Sequence, residues 1–145
     1  MTRPARPAAG LALAALLAAG CGGDPGLTPV EGTLTGPDGK PLPDVLVQFT
    51  PTDPGGRRVV SSSGTTDAAG RFVLRADTGR PGAVPGPHAV LLSDQGFGDD
   101  DDPPGRGRPR PPVRIPADYS SPAKTPLKVT VEAGKADYPL KVERR

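Results

Sequence analysis

The side chains able to do chemistry are few. The chain has one cysteine, Cys21, and one histidine, His88. A zinc site built on several histidines is therefore excluded, and no second cysteine stands ready to help. A serine triad would need His88 beside one of Ser61, Ser62, Ser63 or Ser93 together with an acid, and no spacing promotes that; His88 reads as the start of a strand. The expectation is no catalytic, metal or cofactor-binding residues. Four adjacent carboxylates, Asp99 to Asp102, suit an oxygen-liking cation in type but not in spacing, since a Ca²⁺ loop spaces its ligands and bends at a glycine. They read as a solvated charge run that can fold back on the arginines after it. Arg108, Pro109, Arg110, Pro111 and Pro112 suit a polyproline-type docking segment for a protein partner, or equally a stiff spacer.

Cys21 is different because of what precedes it. Arg3 and Arg6 form a basic head, Ala8 to Ala19 an apolar run, and Gly20 a small residue before the thiol. As a helix that run would span about 18 Å at ~1.5 Å per residue, against a bilayer core of about 30 Å. It has the dimensions of a secretory signal. Ala18-Ala19-Gly20-Cys21 resembles the lipobox of bacterial lipoproteins, with Ala18 where that pattern usually has Leu. The resemblance implies cleavage between Gly20 and Cys21, a thioether-linked lipid on Cys21 and acylation of the new amino group with a fatty acid such as palmitate. The alternative is an ordinary secretory signal followed by an incidental cysteine. Gly22, rather than Asp, follows the cysteine, which resembles an outer-membrane destination more than an inner-membrane one. A lipidated Cys21 leaves no thiol for a disulfide.

Charge follows from this division. Of 18 basic residues only Arg3 and Arg6 precede Cys21, leaving 16 against 16 acidic in the remainder. That balance argues against nucleic acid as a partner, which calls for a basic footprint.

The elements positioning these residues read as strands. Gly 20 and Pro 21, with 34% hydrophobic residues and no tryptophan, disfavour a helix bundle and suit short strands between turns. After a tether over 21–29 the expected strands are Val30–Thr35, Val45–Thr50, a more polar one near an edge over Arg58–Thr66, Phe72–Ala76, His88–Leu92, Leu127–Glu132 and Tyr138–Glu143. Gly36–Lys40 supplies a hairpin turn, and Thr66–Arg71 a second turn in which Asp67 caps N–H groups and Gly70 takes positive φ. Phe49, Phe72 and Tyr138 are expected inside or half inside; Phe97 and Tyr119 are left as exposed rings able to bind polysaccharide. The segment 94–112 is too rich in Asp, Arg, Gly and Pro to build a core and reads as a disordered loop. About seven strands argue for a β-sandwich.

VEGTLTGPDGKPLPDVLVQFTP, TTDAAGRFVL, GAVPGPHAVLLS and IPADYSSPAKTPLKVTVEAG together resemble the carboxypeptidase regulatory-like domain of bacterial surface lipoproteins, over roughly Thr28 to Val142. The resemblance implies an all-β, Ig-like or transthyretin-like sandwich over 30–145, behind a signal peptide over 1–20. It implies no zinc site and no assigned activity. The reading is a lipid-anchored, non-enzymatic envelope protein, structural or contacting an envelope or exported protein; the alternative is a module binding an envelope or extracellular polysaccharide.

Overall fold

Alternation governs the longest inner strands. In β2 (Val45–Pro51), Val45, Val47 and Phe49 are fully buried while Leu46 and Gln48 are half-buried, the period of two expected of a strand with one wet face. The computed structural model describes residues 26–96 and 112–143. Among them the remaining elements are β1 (Glu31–Thr35), β3 (Ser62–Thr65), β4 (Arg71–Val73), β5 (Arg75–Ala76), β6 (Gly86–Asp94), a 3₁₀ turn (Ala117–Ser120), β7 (Lys128–Val131) and β8 (Leu140–Lys141). The fold is all-β.

Two sheets result. The larger has the order β5-β3-β2-β6-β7 and is antiparallel throughout. The smaller has the order β4-β1-β8, with β1 antiparallel to β4 and parallel to β8. One core lies between them, with Leu34, Phe72 and Leu140 from the smaller sheet against Val45, Val47, Phe49, Val90, Leu92 and Val131 from the larger. Phe49 is the centre of the contact: its ring lies 6.3 Å from Phe72 and 6.5 Å, edge-on, from Tyr138.

The turns behave largely as their residues dictate. Asp67 Oδ1 accepts the N–H groups of Ala69 and Arg71, each at 2.9 Å, and Gly70 has φ +73. Gly39 likewise has φ +78 in a turn closed by Gly36 N–H to the Lys40 carbonyl at 2.8 Å. That turn is not the hairpin expected. Its arms are joined by the bridge between Thr35 and Pro41 and by Leu42 N–H to the Leu34 carbonyl at 3.0 Å, and the chain then crosses to the other sheet to begin β2. Pro41 and Pro43 have no N–H to offer a second ladder.

Three further expectations change. The strand expected over Phe72–Ala76 is two strands in different sheets: Val73 pairs with Glu31 in β1, whereas Arg75 pairs with Ser63 in β3. Between them Leu74 donates its N–H to Val30 and accepts from Gly82, at 2.9 Å each. The inward side chains Phe72, Leu74 and Ala76 are all buried across the switch. Only Ser62–Thr65 of the 58–66 segment is strand, and it lies one place in from the edge, covered by the two-residue β5. Asp94, expected to open the irregular loop, is the last residue of β6.

Candidate functional site

Of the residues singled out from sequence, Gly20, Cys21, Phe97, Asp99 to Asp102, Arg108, Pro109, Arg110 and Pro111 lie outside the described residues. Pro112 is described and exposed. It stands two residues before Arg114, which supplies the best-built polar contact in the fold.

Arg114 Nε donates to Asp94 Oδ2 at 2.8 Å and its terminal nitrogen donates to Asp94 Oδ1. The two side chains are only 23% and 18% exposed. Gly96 N–H adds a bond to Oδ1 at 3.0 Å. Burial pushes the Asp94 carboxyl up, but the Arg114 hydrogen bond, the Gly96 N–H and the Arg114 charge together outweigh it and hold the pKa below the usual value. Gln95 N–H reaches the Asp44 carbonyl at 2.8 Å, and Asp44 is the one described non-glycine residue at positive φ, +56. The two ends of the chain flanking 97–111 are thereby fastened together at the end of β6. Such a bidentate pair fixes geometry as well as charge.

The segment after Arg114 forms the 3₁₀ turn. Tyr119 N–H bonds to Pro116 at 3.1 Å and Ser120 Oγ to Ala117 at 2.7 Å. Tyr119 is 3% exposed and belongs to the core, which corrects the expectation of an exposed ring. Its hydroxyl accepts the Glu143 N–H at 2.9 Å and donates to the Glu143 carbonyl at 3.4 Å, pinning the chain just after β8. A cleft of about 130 Å³ remains between Pro116, Asp118, Tyr119, Pro126 and Glu143. That is below the roughly 300–1,000 Å³ of small-molecule sites.

His88 is not at a strand's start but inside β6, 1% exposed, its ring 5.9 Å from that of Phe49. Nδ1 lies 2.9 Å from the Gly86 carbonyl, so it carries the proton and donates; Nε2 is buried without a partner among the described residues. Burial lowers the pKa, against the smaller upward pull of that carbonyl. Ser62, buried on β3, is separated from His88 by β2, while Ser63 and Ser93 are exposed. Among the described residues no three of His, Cys, Asp and Glu group as metal ligands, and no helix is long and apolar enough to cross a membrane.

Compared with protein-family models, curated proteins and solved structures, the chain matches none. Sequence reasoning missed the Asp94–Arg114 fastening, for which the only signal was two opposite charges bracketing a segment unfit for a core. It also missed Tyr119, where a lone tyrosine among Pro, Asp and Ser carries no alternation to betray an inward ring.

Proposed function

We propose that the protein is a lipid-anchored, non-enzymatic module of the bacterial cell envelope, held in the outer membrane by Cys21 and acting structurally or by contact with another envelope or exported protein. Its two-sheet domain is read as an Ig-like, transthyretin-like sandwich of the carboxypeptidase regulatory-like kind. The observation that carries the proposal is the sole cysteine, placed directly behind an apolar run and two small residues, Ala19 and Gly20. More than one acyl chain gives stable anchoring, each buried methylene contributing about 0.8 kcal/mol. The tether is short, for Thr28 is already bridged to Ala83 in the fold. The burial of His88 in the core supports a non-enzymatic role, and Arg108 to Pro112 lie in sequence between the ends fastened by Asp94 and Arg114.

Mass spectrometry of the mature N-terminal peptide tests the anchor. The expected result is a lipid-modified Cys21 as first residue; residues retained before it, or an unmodified thiol, would overturn the reading. Crosslinking in intact cells tests the partner, with recovery of a protein neighbour expected, and weakened by changing Arg108 and Arg110 together to alanine. The polysaccharide alternative keeps only Phe97 as a candidate platform once Tyr119 is in the core.

A further inference from the structure

Charge is unevenly spread over this neutral fold. Between 57 and 80 five exposed arginines, Arg57, Arg58, Arg71, Arg75 and Arg80, stand against two carboxylates, Asp67 and Asp77. The fold brings several of them to one margin. Arg71, Val73 and Arg75 occupy successive outward positions of β4 and β5, where both sheets end on the same stretch of chain. Arg80 is folded back beside them by the Ala76 N–H to Arg80 carbonyl bond at 2.8 Å and the bridge between Arg75 and Pro81. Arg58 reaches the same turn, 3.6 Å from Asp77. Val73 is 61% exposed between these cations, with the exposed Glu31 of β1 directly across from it.

The N-terminal segment joins the fold at this same margin. Thr28 and Ala83 exchange hydrogen bonds at 2.8 and 2.9 Å, two residues beyond Pro81. From Cys21 to Thr28 the chain can extend at most about 25 Å. An anchor at Cys21 would therefore keep this margin within about 25 Å of the bilayer surface.

The geometry points to a lipid-contacting surface: the margin of Arg58, Arg75 and Arg80 around Val73 docks on the phosphate headgroups of anionic phospholipid. This rests on the proposed anchor at Cys21. Guanidinium forks bind phosphate oxygens two at a time, the negative surface potential of such a bilayer draws arginine in, and an aliphatic side chain among them enters the headgroup boundary.

The test is hydrogen exchange on the full chain, purified from membranes and bound to vesicles of phosphatidylglycerol with phosphatidylcholine or of phosphatidylcholine alone, alongside the mass of its N-terminal peptide. Residues 71–80 are expected to be protected only on the anionic vesicles, less so at high salt. Arg75→Gln with Arg80→Gln should weaken that protection about 25-fold, roughly fivefold for each arginine. Equal exchange on both vesicles, with Cys21 shown lipidated, overturns the docking surface and leaves the anchor standing. Anion-dependent protection with Cys21 unmodified upholds the surface and overturns the anchor. Protection by inorganic phosphate alone, or protection that survives the double substitution, overturns the lipid assignment.

Discussion

His88 holds a buried imidazole whose Nε2 has no hydrogen-bond partner among the described residues to receive a second proton. The neighbouring strands set Pro51 of β2 and Val129 of β7 opposite it, the Phe49 ring lies beside it, and Lys128 and Thr130 of β7 are exposed on the other face. Burial lowers its pKa below the ordinary histidine value of about 6.5, so between the two values the unfolded chain binds more protons than the folded one. Stability is then fully present above pH ~6.5 and falls as pH drops toward the folded pKa, by up to about 1.4 kcal/mol per unit. Urea midpoints at pH 7.5 and 5.5 should differ for the natural chain and converge for His88→Leu; an unchanged natural midpoint would refute this. The Asp94–Arg114 pair acts at a lower pH. Its carboxylate pKa is depressed, so its contribution is present above the ordinary Asp value and lost as pH falls through the folded one. Arg114→Ala leaves a carboxylate that is mostly covered without its charged donor, and should cost about 2 kcal/mol by urea denaturation at pH 7.

At the scale of elements, what was legible was local and what was not depended on partners far along the chain. The alternation Val45, Val47, Phe49 and the Asp67–Gly70 turn were readable because a strand's period and a turn's φ are properties of a few adjacent residues. The division of 71–76 between two sheets was not, because it is decided by where β1 and β3 lie. Gly64 marks that division. A Cβ built there would overlap the Val73 carbonyl, so its hydrogen is what lets β3 and β4 approach where the sheets meet. Gly64→Ala keeps an ordinary backbone conformation yet must push β4 away, a steric strain of about 2 kcal/mol. It should also speed exchange at the Leu74 amide, which donates to the Val30 carbonyl just beyond β4. Gly39→Ala meets open space and carries only a positive-φ penalty of about 1 kcal/mol. Equal costs for the two would show that Gly64 is not a contact point.

The whole molecule closes by joining its extremes. β1, the first strand, pairs in parallel with β8, the last, and Thr35 Oγ1 bonds to the Leu140 carbonyl across 105 positions. Neither sheet can bury its inner face alone, since the smaller one's Leu34, Phe72 and Leu140 pack on residues of the larger. Phe49 is the residue through which that dependence is best tested, because its ring touches the smaller sheet's Phe72, the Tyr138 leading into β8, and His88 of its own sheet. Phe49→Ala removes the ring and leaves a cavity the surrounding strands can fill only partly, a loss of about 3–5 kcal/mol. Against a typical total of roughly 5–15 kcal/mol that is a large share, and a shared core requires both sheets to lose it together. Native-state hydrogen exchange should therefore show the Leu34 amide in β1 and the Val47 amide in β2 losing protection by the same factor, with one unfolding transition in urea. Protection lost in β2 while β1, β4 and β8 keep theirs would mean that the two sheets are separately stable and that the contact around Phe49 does not join them.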